Sequence, residues 1–286
     1  MNVRTRWRSL LFVPGDQPRL ADKAARCAPD AVILDLEDSV AASAKPQARA
    51  ALPAMIEVLR QAGIEVLVRI NADAPDADLE AAVRPGVRAL MVPKTEGRAA
   101  LDALSARVAA LEPARAIQVG AIGLLALIES PAALLAAAQI AAADRIVGLA
   151  LGGEDFAVAL GAPPSPASLD LPCKLIALHA AAAGVAGLGL PYSLAEFRDL
   201  DRYEQAARDA RSIGLTGVLC IHPAQVPIVN AAFAPTAGER ERALRLLAAW
   251  DAAVADGRAV VAFDGAMVDA PVVEAARALL GRAPSV

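Results

Sequence analysis

Residues 145–156 read RIVGLALGGEDF. The apolar run has the length of a strand, two glycines end it, and Glu154 and Asp155 follow where no hydrophobic pattern asks for them. The same grammar governs GLLALIES, residues 123–130, where the run 124–128 stops at Glu129. If the two strands are parallel neighbours, Glu129 and Asp155 open onto one face and can share an oxygen-preferring cation such as Mg²⁺.

Outward from that stretch the pattern repeats. Short runs of Leu, Val and Ile alternate with Ala-rich segments of helical period, which predicts a parallel sheet covered by helices. The runs fall at 10–13, 31–36, 66–70, 89–92, 124–128, 146–151, 185–190 and 218–221. That count points to an α/β fold of the (β/α)8 TIM-barrel type across 1–233. The alternative, a doubly wound open sheet, usually shows a glycine-rich phosphate loop, and neither GxGxxG nor GxxxxGK[ST] occurs. Residues 234–286 read as a C-terminal helical arm, with Pro235 before a helix over 238–257 and a second helix over 272–280.

Barrel enzymes place their chemistry at the carboxyl ends of the strands. Those exits read Pro14-Gly15-Asp16, Glu37-Asp38, Arg69 with Asn71, Pro93-Lys94, Glu129, Glu154-Asp155, Pro191-Tyr192 and His222-Pro223. Polar residues are also what loops contain, but acids and bases recurring around one rim indicate a site. Glu37 and Asp38 are placed to hydrogen-bond a metal-bound water or Arg69. Pro14, Gly15, Lys94 and His222 join Arg69 as candidate substrate-binding positions. Glu154 reads as a helix N-terminal carboxylate beside the ligand rather than a ligand. Lys45 and Arg49 read as a solvated helix face.

Composition limits the partners. Lys plus Arg number 28 against 32 Asp plus Glu, a net charge of -4, so nothing marks a nucleic-acid or anionic-membrane surface. Aromatics are 3% against 56% hydrophobic residues, which calls for many close-packed Ala- and Leu-rich helices. Three unpatterned cysteines and two histidines argue against a disulfide framework or a zinc site and for the cytosol. The start, 1–15, has too short an apolar run for a secretory signal, and the Ala-rich run 132–143 is too short to cross a bilayer.

The motifs RSLLFVPG (8–15), DAVILDLEDSVAASAKPQAR (30–49), VRIN (68–71), VPK (92–94), LIES (127–130), GGEDF (152–156), IHPAQV (221–226) and DGAMVDAP (264–271) span nearly the whole chain. In their order and spacing the sequence resembles the citrate lyase beta-subunit-like family of the HpcH/HpaI aldolase group. The resemblance implies a Mg²⁺-dependent barrel that cleaves a carbon–carbon bond in a β-hydroxyacyl thioester of the citryl-, malyl- or citramalyl-CoA kind. It makes Glu129 and Asp155 the metal ligands and Arg69 the guanidinium that holds substrate. It makes Asp269 an acid/base carboxylate that reaches a neighbouring subunit's site, which implies a homo-oligomer, a trimer. An Asp269 that merely caps the helix opened by Pro271 is the structural alternative.

The chemistry accounts for these residue types. Cleavage removes the β-hydroxyl proton while the thioester fragment leaves as an enolate. A hard cation lowers the hydroxyl pKa, and a guanidinium offers a rigid two-pronged donor to a carboxylate or enolate oxygen. The sequence departs from the family pattern at Gly189, where relatives carry Asp, at Pro172, where many carry Arg before a helix opening near Lys174, and in the proline-rich stretch 161–172. A thioester hydrolase on the same scaffold and a noncatalytic barrel subunit of a lyase complex are the competing functions. The acyl carrier is coenzyme A or a carrier-protein thiol.

Overall fold

The computed structural model describes residues 7–196 and 198–281, so the first six residues of the start, a stretch expected to hold too short an apolar run for a secretory signal, lie outside the described residues. The chain forms two compact units, one through Phe233 and one from Ala234. The first begins β1 (Ser9–Pro14), α1 (Arg19–Arg26), β2 (Ala31–Asp35), α2 (Lys45–Gln61), β3 (Glu65–Arg69), α3 (Pro75–Ala82), β4 (Val87–Val92) and α4 (Arg98–Ala114). It continues with β5 (Gly123–Ile128), α5 (Pro131–Leu135), α6 (Ala137–Ala141), β6 (Ile146–Leu151), α7 (Gly153–Leu160) and α8 (Pro166–Ala183). The last turns of the barrel are β7 (Ala186–Leu188), α9 (Leu200–Ser212), β8 (Val218–Cys220) and α10 (Gln225–Phe233).

All eight strands run parallel in the order β7-β6-β5-β4-β3-β2-β1-β8, the predicted (β/α)8 arrangement. The remaining edge is closed by few bonds. Leu188 bridges Gly217, the Thr216 amide donates to the Gly187 carbonyl at 2.7 Å, and the Gly189 amide donates to that of Gly217 at 3.1 Å. On its other side Gly217 lets β8 approach β1, because a Cβ there would lie 2.1 Å from the Trp7 carbonyl oxygen.

Strand residues alternate between two apolar clusters, as the two-residue period of a strand requires. Leu10, Ile33, Leu67, Met91, Leu127 and Ala150 fill the lumen. Their neighbours Leu11, Leu34, Val68, Leu90, Ile128 and Leu151 pack outward under the helices.

Some boundaries differ from expectation. The proline-rich stretch 161–172 is mostly helix: Ser165 and Ser168 form a capping box, Pro166 sits in the first turn where a missing N–H is harmless, and α8 runs on through Pro172. The helix therefore opens well before Lys174. Strand seven is three residues long rather than spanning 185–190.

The second unit contains α11 (Ala237–Ala255), a hairpin of β9 (Val261–Phe263) and β10 (Ala266–Val268), and α12 (Ala270–Leu280). Thr236 and Glu239 form its capping box, and Leu246, Val268 and Val273 are buried together. The hairpin turns on Asp264 and Gly265, both at positive φ, the two-residue turn that matches strand twist. Its strands are too short for a periodic signal, so the arm reads from sequence as helical alone. Among the described residues no helix is long and apolar enough to cross a membrane.

Candidate active site

Two residues beyond the lumen residues Leu10, Ile33, Leu67, Met91, Leu127 and Ala150 come Phe12, Asp35, Arg69, Pro93, Glu129 and Gly152, three of them charged. The top layer of the barrel interior is therefore charged. Arg69 lies over the Phe12 ring at 4.9 Å. Its Nε and Nη2 donate to the two oxygens of Asp35, each at 2.7 Å, with side chains 11% and 1% exposed. The two-pronged face expected to grip a ligand is thus spent on a buried carboxylate. What remains is Nη1, 3.1 Å from Glu37 Oε2 and 3.2 Å from Asp38 Oδ2.

Asp35 is the residue that sequence reading missed, although a carboxylate inside an apolar strand run is itself a signal of a paired buried charge. It also accepts from the Glu37 amide at 2.9 Å and from the Ser39 amide and hydroxyl at 3.0 and 2.5 Å. Burial alone would push its carboxyl up, but the bonds and charge of Arg69, with Ser39 and the Glu37 amide, hold it below the ordinary value. Burial likewise disfavours the Arg69 cation, and its three acidic neighbours outweigh that and raise its pKa.

Glu37 is buried, and Lys94 Nζ donates to its Oε1 at 2.9 Å. Its Oε2 makes no hydrogen bond. Burial raises its carboxyl, opposed by Lys94 and Arg69 and aided by Asp38. Lys94 is exposed and adopts a left-handed backbone, φ 50°, which a non-glycine residue occupies only where its surroundings impose it. That twist aims its amide at Glu129 Oε2, 2.5 Å away. The Glu37 carboxylate raises the Lys94 pKa.

Glu129 leaves β5, and Ser130 at once caps α5 by accepting from the Ala133 amide at 3.0 Å. Gly152, on the neighbouring strand exit, has no Cβ because one would sit 2.6 Å from Glu129 Cγ. Burial first, then the charges of Asp155 and Glu37, push the Glu129 carboxyl up to about 7 against the help of Lys94 and Arg69. Asp155 is exposed in the first turn of α7. A buried carboxylate held high by like charges is the state that a hard cation relieves, and all-oxygen donors suit Mg²⁺. Among the described residues no cluster of three or more His, Cys, Asp or Glu side chains is arranged for a metal. A cation here would take Glu129 and Asp155 and leave its other positions to water and ligand.

The remaining candidate residues lie elsewhere. Lys45 and Arg49 are not a solvated face: Lys45 Nζ donates to Asn71 Oδ1, and Arg49 Nε donates at 2.6 Å to Asp78, whose side chain is fully buried. Glu154 accepts from Ser193 Oγ at 2.6 Å and the Leu194 amide at 3.0 Å, joining the exits of β6 and β7. Pro14 and the buried Gly15 stand at the β1 exit, where the Gly15 amide donates to the Asp35 carbonyl at 2.8 Å. His222 is exposed at the β8 exit, its Nδ1 accepting from the Ala224 amide at 3.2 Å. Asp269, in the second unit, occupies the N-cap position of α12, exposed, and its carboxylate makes no capping bond. Beside Lys94 a cavity of about 420 Å³ opens between the β3 and β4 exits, lined by Ile70, Pro75, Val92, Leu101 and Leu104.

Comparison with known proteins adds relatives over nearly the full chain. The family model for HpcH/HpaI aldolase/citrate lyase matches residues 8–223. Citrate lyase subunit beta of Escherichia coli is 35% identical over 98% of this chain and 94% of its own length. A (3S)-malyl-CoA thioesterase of Cereibacter sphaeroides is 34% identical over 98% of this chain and 95% of its own. The crystal structure of CitE from Mycobacterium tuberculosis, in complex with magnesium, acetoacetate and coenzyme A, superimposes with a TM-score of 0.76 at 35% identity. It covers 99% of this chain and 100% of that one.

Proposed function

The chain belongs to the HpcH/HpaI aldolase/citrate lyase family, and we propose that it is a Mg²⁺-dependent carbon–carbon lyase acting on a β-hydroxyacyl thioester. The observation that carries this is the Glu129 carboxylate, buried and raised beside Asp155 at adjacent strand exits and flanked by Arg69, Lys94 and Glu37. Relatives bind magnesium with keto acids or with coenzyme A, which suits the same donor set.

When bound, the cation supplies Lewis-acid charge that lowers the pKa of a chelated hydroxyl. The protein does the rest. Glu129 and Asp155 hold the cation. Arg69, its other edge locked by Asp35, presents Nη1 to the substrate carboxylate, which takes the place of Glu37 and Asp38 there. Glu37 offers Oε2, which accepts no hydrogen bond and is released from Arg69 Nη1 as the substrate carboxylate binds there, as acceptor for the hydroxyl proton. As the carbon–carbon bond breaks, its electron pair passes to the thioester enolate, a keto acid forms, and the protonated carboxyl of Asp269 from a neighbouring subunit gives its proton to the enolate carbon. Glu37 then loses its proton to solvent and Asp269 regains one. Lys94 balances the charge of Glu37, Pro14, Gly15 and His222 border the entrance, and the apolar cavity beside Lys94 takes part of the thioester arm. The acyl part is of the malyl, citramalyl or citryl type, carried on coenzyme A or a carrier-protein thiol. The protein works in the cytoplasm as a homo-oligomer.

Similarity to a malyl-CoA thioesterase favours a second outcome, hydrolysis of the thioester on the same site. One assay separates the two. Protein incubated with Mg²⁺ and malyl-, citramalyl- or citryl-CoA is expected to give acetyl-CoA and the matching keto acid, abolished by EDTA. Free coenzyme A with intact hydroxy acid would make it a hydrolase, and no product from any thioester would remove both readings.

A further inference from the structure

The peptide between Leu36 and Glu37 is held from both sides by buried side chains. Its N–H donates to Asp35 Oδ1 at 2.9 Å, and its carbonyl accepts from Asn71 Nδ2 at 2.8 Å. The Leu36 amide in turn donates to the Arg69 carbonyl at 3.0 Å, so this stub prolongs the β2–β3 ladder one step past the end of β2. Asn71 supplies with its side chain the bond that a further strand residue would have made with its backbone.

The Asn71 amide has one orientation open to it. Nδ2 faces two groups that only accept, the Leu36 carbonyl and Asp78 Oδ2 at 2.6 Å, while Oδ1 faces the Lys45 ammonium, which only donates. The Asn71 backbone amide also donates to Asp78 Oδ2 at 2.7 Å, and Arg49 occupies Oδ1 of the same carboxylate. Side chains from α2 and α3 thereby lock one amide whose outer hydrogen grips the Leu36 carbonyl. The peptide plane sets where Cα of Glu37 projects its side chain, toward Lys94 Nζ and Arg69 Nη1.

We propose that Asn71 is a positioning residue of the site: with Asp35 it clamps the Leu36–Glu37 peptide, and so aims the Glu37 carboxylate. An aspartate at 71 would have nearly the same shape but no donor for the Leu36 carbonyl and a charge facing Asp78. The kinetic part of the test rests on the lyase proposed above, and the exchange part does not.

In Asn71→Asp, the segment 36–39 should exchange amide hydrogens faster than in the wild type, and kcat should fall at least about tenfold with KM within about threefold. The variant should still bind Mg²⁺ by calorimetry, since Glu129 and Asp155 leave other strands. If the added charge prevents folding, Asn71→Ser removes the amide donor without it. Wild-type exchange, or faster exchange with wild-type kcat, would overturn the inference. If the wild type cleaves no thioester, the proposed function fails separately; retained exchange and a retained Glu37–Lys94 contact in a crystal structure of the variant would then overturn this one.

Discussion

Glu129 is held near the middle of the physiological range by burial and by Asp155 and Glu37. Its folded pKa of about 7 lies above the ordinary 4.5, so the folded protein binds more protons than the unfolded chain between those values. Without a cation, stability should therefore fall as pH rises from about 5 to about 7.5, and Glu129→Gln should flatten that slope. Mg²⁺ should raise the thermal midpoint near the upper pH and little near the lower, where protons compete for the ligand. A midpoint indifferent to Mg²⁺ at the upper pH would remove Glu129 from the metal site. The Asp35–Arg69 pair sets the other residue-scale expectation. Removing one partner strands a buried charge, so Asp35→Ala should cost about 3 kcal/mol or more in urea unfolding. Arg69→Lys keeps the charge but cannot span both Asp35 oxygens, and should lose stability and rate together, whereas a purely ligand-facing arginine would leave stability untouched.

The elements meet where two glycines let them. Gly152 admits the Glu129 side chain against the end of β6, and Gly217 admits the backbone before β1 against the approach to β8. Alanine at either is overpacked, with different readouts. Gly152→Ala has only a side chain to displace, so it should leave the barrel folded and weaken Mg²⁺ binding measured by calorimetry. Gly217→Ala meets the Trp7 and Arg8 carbonyl oxygens, which cannot move without parting β8 from β1. It should lose roughly 3 kcal/mol of stability, or fail to fold, with activity per folded molecule unchanged. Strand β7 is only three residues long, and a single bridge joins Leu188 to Gly217, so the β7–β8 closure is the weakest ladder of the sheet.

For the whole molecule, the proposed assembly gives an all-or-none test. If Asp269 serves a neighbour's site, Asp269→Ala and Glu129→Ala should each be inactive alone, and mixing them under subunit exchange should recover part of the wild-type rate. No recovery, with exchange shown by mass spectrometry, would place the proton step within one chain. The sequence by itself determined the barrel, because continuous apolar runs of strand length and Ala-rich runs of helical period are local properties, and a parallel sheet follows from their alternation. It also marked Glu129, Asp155, Arg69 and Glu37 as strand-exit residues, since an acid or base closing an apolar run is visible without neighbours. Only the tertiary structure decided who partners whom. Asp35 takes the arginine edge meant for substrate, Lys45 and Arg49 turn inward to Asn71 and Asp78, and Pro166 opens a helix inside an apparent loop. Such pairings depend on which strands and helices lie side by side and on which residues share a level of the barrel. That register is set by long-range packing, and no local window of sequence contains it.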